Sequence, residues 1–154
     1  MSEELKQQVW VNDPHLIREM LHTARNIAVI GISDKPFRAS RNISRYLAEN
    51  GYRVFGVNPR LTEVLGIAVY PDLEAAQAAA WRETSHGIDL VDVFRAPENV
   101  PEIVGEVLRL QIPYLWLQDE VVHEEAVARA CAAGVKCIQN DCIFREHARM
   151  GHEE

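Results

Sequence analysis

The sequence predicts an α/β fold in which a doubly wound parallel sheet carries helices on both faces. Two observations lead to this prediction. Apolar runs of strand length, such as NIAVIGIS and IDLVDVF, lack the alternation of a half-exposed strand, as expected where helices cover both faces of the sheet. Stretches with helical spacing separate these runs, and strands that alternate with helices form right-handed crossovers in a parallel sheet.

The first half of the chain contains two strand–helix units. Pro14 begins a helix over residues 14–24, and NIAVIGIS is the first strand after it. The next helix is SRNISRYLAEN, with Ser40 as its N-cap and Gly51 beyond its end. RVFGVNP is the second strand, and Pro59 ends it because proline cannot donate a hydrogen bond to the sheet.

The second half repeats this pattern. A short third strand is predicted from Leu65 to Tyr70, and a helix begins at Asp72. The fourth strand is IDLVDVF, and PYLWLQ and VKCIQN are later strands; the remaining helices are PENVPEIVGEVLRLQ, EEAVARACAAG and CIFREHARM. No linker interrupts the sequence. We therefore expect a single Rossmann-like domain over residues 1–154, of which residues 1–25 form an N-terminal helical extension.

The composition restricts the classes of partner. The chain has 154 residues and a formal net charge of −7, which argues against nucleic acid or an anionic membrane as the main partner. No apolar run approaches the roughly 20 residues of a transmembrane helix, and the acidic start MSEELKQQVW differs from a signal peptide. The three cysteines form no CxxC pair, so we expect reduced thiols in a cytoplasmic protein, with a homodimer as the default oligomer.

The turn after the first strand has the composition of a phosphate site. A glycine lets the backbone approach a ligand closely, two hydroxyls can bind a ligand or cap the helix, and two cations lie beside the positive end of that helix. An acidic protein that binds an anionic ligand needs such a local basic site. The candidate ligand-binding residues of the turn are Gly31, Ile32, Ser33, Lys35, Arg38 and Ser40.

The same region argues against NAD as the ligand. The pattern GxGxxG is absent, since Ser33 occupies the position of the second glycine. The second strand ends in Val57-Asn58-Pro59-Arg60, without the acidic residue that binds the ribose hydroxyls in NAD domains. A cofactor with a phosphorylated adenosine ribose remains, and the residues alone leave both NADP and coenzyme A (CoA) open.

Catalytic constellations are weak in this sequence. Cys142 and His147 suggest a thiolate near a helix start, but a small buried residue at the end of the last strand is the favoured interpretation of Cys142. Asp89 and Asp92 lie on one strand and would face opposite sides, because side chains alternate along a strand. The six histidines match no common zinc spacing, and neither GxSxG nor a Walker motif occurs. We expect neither catalytic residues nor a metal site.

Several segments together resemble a known family. They are IAVIGIS with Arg38 and Ser40 downstream, YLAENGYRVFGVNP, DLVDVFRAPENVPEIV, LWLQ and DCIFREHAR, and they extend from about Asn26 to Arg149. The chain resembles the small stand-alone CoA-binding domain proteins, which share their fold with the CoA-binding domain of the succinyl-CoA synthetase α subunit. This resemblance favours CoA or an acyl-CoA over NADP.

The resemblance also implies where the ligand lies. The phosphates would bind at the first turn, Asn58 and Pro59 would line the adenine or ribose side, and Phe94 and Arg95 would form the opposite wall. Glu120 departs from the family, because relatives tend to have glycine there, and it leaves the thiol end of the site least defined. The synthetase activity is not implied, since we expect no phosphorylated-histidine domain in this chain.

Three hypotheses for function follow. The first is a non-catalytic carrier, sensor or regulatory module that binds CoA or an acyl-CoA. The second is an enzyme, either a small NADP-dependent oxidoreductase or an acyl-CoA-transforming subunit. The third is an interaction module that keeps the fold but has lost its ligand. The phosphate turn, the missing ribose acid and the family resemblance favour the first.

Overall fold

The computed structural model describes residues 12–153, and within this range seven strands form one sheet. The strands are β1 (Asn26–Ile30), β2 (Arg53–Val57), β3 (Glu63–Val64), β4 (Ile67–Tyr70), β5 (Leu90–Val93), β6 (Tyr114–Leu117) and β7 (Lys136–Ile138). They lie in the order β3-β4-β2-β1-β5-β6-β7, and all neighbouring pairs are parallel except β3 with β4. The predicted doubly wound α/β fold is therefore confirmed.

The described residues form six α-helices that connect or flank these strands. They are α1 (Pro14–Thr23), α2 (Ala39–Glu49), α3 (Leu73–Thr84), α4 (Val100–Arg109), α5 (Glu124–Ala132) and α6 (Ile143–Glu153), and a short 3-10 helix (Pro97–Asn99) precedes α4. Helix α1 begins as predicted, with proline at its first position and Asp13 Oδ1 accepting from the N–H of His15 at 2.8 Å. It is the described part of the predicted N-terminal extension, of which residues 1–11 lie outside the described range.

Two apolar layers cover the two faces of the sheet. Helices α3, α4 and α5 contribute to one layer, and α1, α2 and α6 contribute to the other. Side chains of β5 alternate between them, because Val91 and Val93 belong to the first layer and Leu90 to the second. Trp116 is fully buried in the second layer, where its Nε1 donates to the carbonyl of Asp141 at 2.9 Å. Both faces are thus covered by helices, as the continuous apolar strands predicted.

The predicted third strand is wrong in detail. Instead of one strand from Leu65 to Tyr70, the chain forms the antiparallel pair β3 and β4, joined by a turn at Leu65 and Gly66. These two residues have φ of 54° and 81°, the left-handed backbone of a tight two-residue hairpin turn. Glu63 Oε1 accepts from the N–H of Gly66 at 3.0 Å and holds the turn.

The strand order defines where a ligand can bind. The chain leaves β1 toward β2 on one side, and β5 pairs with β1 on the other. Strand order therefore reverses at β1, and the loops after β1 and β5 separate to leave a crevice at the carboxyl ends of these strands. No helix in the part of the chain that the structure describes is both long and apolar enough to span a membrane.

Candidate functional site

A cavity of about 650 Å³ opens at the carboxyl ends of β1, β2, β5 and β6. Its volume lies within the range of small-molecule and cofactor sites. Four loops contribute the residues that line it: Gly31, Ile32, Ser33, Arg38, Ala39, Ser40, Asn58, Phe94, Arg95, Ala96, Pro97, Gln118, Asp119, Glu120 and Val121. The fold thus brings together eight of the ten predicted ligand-binding residues, all except Lys35 and Pro59.

Gly31 begins the turn after β1 and is required by the packing of the chain itself. Its φ is +88°, and a Cβ at this position would lie 2.6 Å from the carbonyl oxygen of Phe94 and 3.0 Å from Cδ of Arg95. Its N–H donates to the carbonyl of Val57 at 3.0 Å. The sequence suggested that this glycine leaves room for a ligand, and the structure shows that it leaves room for the loop after β5.

Two serines order the turn from inside. Ser40 is buried, and its Oγ accepts from the N–H of Ser33 at 3.0 Å. The Oγ of Ser33 in turn accepts from the N–H of Lys35 at 3.1 Å. The prediction that Ser40 is the N-cap of α2 is wrong, because the helix begins at Ala39 and Ser40 already lies within its first turn. Its hydroxyl is used to close the loop rather than to cap the helix.

The start of α2 retains the features that favour an anion. The N-cap residue is Arg38, whose side chain makes no capping hydrogen bond, and the first turn contains no acidic residue. The N–H groups of the first turn and the positive end of the helix dipole therefore both lie beside the cavity. The guanidinium of Arg38 lies 5.5 Å from the ring centroid of the exposed Phe37.

Arg38 and Arg95 are the cations of the cavity. Both are exposed, and neither pairs with a carboxylate among residues 12–151, whose side chains the structure describes. Other arginines of the chain do form such pairs, for example Arg53 with Glu83 at 2.8 Å. Arg95 pairs with neither Asp92 nor Glu98, the two carboxylates nearest to it in the sequence. Positive charge at this wall is thus not neutralised by the described chain.

The other predicted residues have different environments. Lys35 is exposed, but it is not one of the described residues that line the cavity. Pro59 lines a second, smaller cavity of about 250 Å³, which lies beside the first and shares Arg95 with it. Ile30 and Leu73 contribute apolar surface to this smaller cavity. The two cavities thus have one lining residue in common, Arg95.

Asn58 and Ile32 hold the strand ends in position. The Nδ2 of Asn58 donates to the carbonyl of Ile32 at 2.9 Å, and its Oδ1 accepts from the N–H of Arg60 at 2.8 Å. The side chain of Ile32 is fully buried in the second apolar layer, so only its backbone can face a ligand. Phe94 is half-buried against the same layer, and its N–H donates to the carbonyl of Ile30 at 2.8 Å. These residues shape the cavity.

The loop after β6 forms a further wall of the cavity, and none of the ten predicted ligand-binding residues lies in it. Glu120 has φ of +69°, and its N–H donates to Oδ1 of Asn140 at 2.8 Å. A left-handed backbone favours glycine, and this chain accommodates Glu there. Asp119 binds Arg145 through both carboxylate oxygens, at 2.9 and 3.1 Å. Position at the carboxyl end of a strand was the signal that could have added these residues.

The catalytic candidates lie apart from the cavity lining. Cys142 is buried at the start of α6, and its N–H donates to Oδ1 of Asp141 at 2.8 Å. The Nδ1 of His147 and the hydroxyl of Tyr46 form a hydrogen bond of 2.7 Å between α6 and α2. Among the side chains that the structure describes, those of residues 12–151, no group of three or more His, Cys, Asp or Glu could hold a metal ion.

Asp92 in the centre of β5 is fully buried, and neither of its carboxylate oxygens has a hydrogen-bond partner within the described part of the chain. Burial raises the pKa of this carboxyl well above its ordinary value, because the charged form would lose its hydration. Burial therefore favours the neutral form of this side chain. It does not line the cavity, although Phe94 and Arg95 follow it closely in the chain.

Comparison with known proteins identifies relatives along most of the chain. The uncharacterized protein YneT of Bacillus subtilis is 35% identical over 132 residues, which cover 86% of this chain and 92% of that protein. A solved structure of a hypothetical protein from Pyrococcus horikoshii is 34% identical, with a TM-score of 0.78, and covers 89% of this chain and 91% of its own. A Thermus thermophilus structure is 32% identical, with a TM-score of 0.77, and covers 90% and 98% respectively.

A family model adds the decisive match. It is described as a CoA binding domain, and it matches residues 25–148, from the residue before β1 to the middle of α6. This range includes all four loops that line the cavity. The chain therefore belongs to the CoA-binding domain family.

Proposed function

We propose that the chain binds CoA or an acyl-CoA and acts as a non-catalytic carrier, sensor or regulatory module. One observation carries the proposal: Arg38 and Arg95 line the cavity without a carboxylate partner among residues 12–151. A diphosphate bound between them would supply the missing negative charge, and hydrogen bonds between charged groups are the strong ones. Membership of the CoA-binding domain family supports CoA as the nucleotide.

Two cavities that share Arg95 offer space for an extended nucleotide. The diphosphate would lie at the turn after β1, against the first amides of α2 and the two arginines. The adenosine would enter the smaller cavity, between Pro59 and the apolar surface of Leu73. The pantetheine arm would then extend toward the loop after β6, where Glu120 and Val121 line the larger cavity.

The composition of the cavity lining supports a binding role. The described residues that line it include no histidine, cysteine or lysine. A nucleophile or general base must lie within hydrogen-bond reach of the reacting group, and the thiol of Cys142 is buried outside the lining. A carrier or sensor requires only that the ligand bind and be released.

Titration calorimetry with CoA tests the proposal on Arg38→Gln, with Arg45→Gln as the matched control. Both arginines are exposed on or beside α2, but Arg45 lies 3.7 Å from Glu49 and does not line this cavity. A hydrogen bond to a charged group contributes about 1.5 to 3 kcal/mol, so we expect Arg38→Gln to weaken CoA binding at least about tenfold. Arg45→Gln should bind as the parent does.

Two results would overturn the proposal. One is the absence of binding when CoA is titrated into the parent chain, which would favour a domain that has lost its ligand. The other is binding of NADPH in preference to CoA, which would favour the oxidoreductase hypothesis. Mass spectrometry of the natively purified protein supplies an independent readout, since a co-purified nucleotide is identified by its mass.

A further inference from the structure

The larger cavity has walls of opposite charge. Arg38 lies at the turn after β1, whereas Asp119 and Glu120 follow β6. β5 separates β1 from β6 in the sheet, so the two loops lie two strand spacings apart, about 10 Å. A ligand with a diphosphate at the first wall therefore directs its other end toward the acidic wall.

Glu120 carries the uncompensated charge of that wall. The carboxylate of Asp119 is held by Arg145, which also binds Asp141 at 2.9 Å. Glu120 is exposed, and its carboxylate forms no ion pair with any residue from 12 to 151. Because Arg145 is already shared by two carboxylates, it leaves no free positive charge to offset Glu120 or to attract an anionic group.

The backbone at Glu120 is held in a conformation that costs energy for any residue with a side chain. Its φ is +69°, and its N–H is fixed by the side chain of Asn140, which itself has φ of +57°. A left-handed backbone at a non-glycine residue in a ligand cavity is a reason to suspect a functional side chain. Glycine would adopt this backbone conformation without strain, but the chain has a glutamate at this position.

We propose that Glu120 determines the ligand class of the site by excluding acyl groups that carry a carboxylate. The inference rests on the proposed function, since it assumes that the thiol end of CoA reaches this wall. The favoured ligands are the free thiol of CoA and thioesters with an uncharged acyl group. Thioesters of dicarboxylic acids place a second negative charge beside Glu120, and like charges in a partly solvated cavity repel.

The test compares CoA, acetyl-CoA and succinyl-CoA by titration calorimetry on the parent chain, Glu120→Gln and the control Glu124→Gln. Glu124 is exposed at the start of α5 and does not line the cavity. We expect the parent to bind succinyl-CoA about three- to tenfold more weakly than acetyl-CoA. Glu120→Gln, which keeps the shape and removes the charge, should abolish this difference, whereas Glu124→Gln should retain it.

Equal affinity of the parent for acetyl-CoA and succinyl-CoA would overturn the inference while leaving CoA binding in place. A difference that persists in Glu120→Gln would overturn it as well, because the discrimination would then come from another group. If none of the three ligands binds the parent, the proposed function fails and this inference fails with it. Measurement at raised salt gives a further check, since the discrimination should shrink as ions screen the repulsion.

Discussion

Polar side chains at the amino edge of the sheet are hydrogen-bonded within the chain, whereas two arginines at the carboxyl edge have no such carboxylate partner. At the amino edge, Asp89 accepts from the backbone N–H groups of Arg25 and Asn26, both at 2.9 Å, and it also binds the ring of His86. The Nδ2 of Asn26 donates to Oγ1 of Thr84 at 2.9 Å. This network ties α3 and the loop before β1 to the start of β5.

The difference separates groups that hold the fold together from groups that can bind a ligand. Asp89 and Asn26 are buried, and each already has several partners in the chain. Arg38 and Arg95 are exposed in a cavity, and their charges are free for an anion. Changes at the amino edge should therefore alter stability, while changes to the arginines should alter ligand binding.

The largest effect is expected from Asp89→Ala at the amino edge. The substitution leaves two backbone N–H groups and the ring of His86 without their acceptor, and each unsatisfied buried donor costs about 1 to 3 kcal/mol. We expect the free energy of unfolding to fall by about 4 kcal/mol, measured by urea denaturation. CoA affinity of the folded fraction should be unchanged.

Asp72→Ala is the control for this substitution. Asp72 caps α3 with a single hydrogen bond, from the N–H of Ala75 to its Oδ1 at 2.8 Å, and losing such a cap costs about 1 kcal/mol. If Asp89→Ala destabilises the chain no more than Asp72→Ala does, the network at the amino edge does not have the structural role inferred here.

The next effect concerns the backbone of the turn after β1, at the carboxyl edge. This backbone is packed against the rest of the chain, although the arginines of the same edge have no carboxylate partner. Gly31→Ala adds a Cβ only 2.6 Å from the carbonyl oxygen of Phe94, at a φ of +88°. Gly51→Ala is the matched control, because its φ is +95° but nothing lies within 4 Å of the added Cβ. We expect a cost of about 1 to 2 kcal/mol for Gly51→Ala from the backbone alone, and about 3 kcal/mol for Gly31→Ala. Equal Tm values for the two variants would contradict the close contact with Phe94.

Much of this fold could be predicted because each signal is local in the sequence. Continuous apolar runs identified the buried parallel strands, and the spacing between them identified the helices. The β3–β4 hairpin was missed because its turn begins at Leu65, a residue type that seldom adopts positive φ. The N-cap at Ser40 was misassigned because its hydroxyl binds the N–H of Ser33, seven positions earlier, and no local pattern shows such a contact.

The part of the candidate site that could be predicted consists of charged residues that follow the ends of strands. Arg38 and Arg95 follow strands and line the cavity. Lys35 belongs to the same turn, but the direction of an exposed side chain cannot be read from its position in the sequence. The role of Glu120 in the cavity wall required the topology, which brings the loop after β6 beside that after β5, and its left-handed backbone required the structure.

A smaller effect, counted per unit of pH, is expected at Asp92, which lies between the two edges and follows neither pattern, being buried without a hydrogen-bond partner in the described chain. Burial raises its pKa, so the folded chain keeps the proton that the unfolded chain, with a pKa of about 3.9, has released. The unfolded state thus binds fewer protons, and stability falls as pH rises from about 4 toward the raised pKa, by at most about 1.4 kcal/mol per pH unit.

Asp92→Asn keeps the shape of the side chain and removes this titration. Urea denaturation of the parent and the variant at pH 5 and pH 8 isolates the effect, because every other titrating group is common to both. The parent should lose more stability than the variant between these two values, and infrared spectra should show a protonated carboxyl band in the parent that the variant lacks. Parallel losses would mean that Asp92 does not keep its proton over this range, which would contradict the raised pKa expected from its burial.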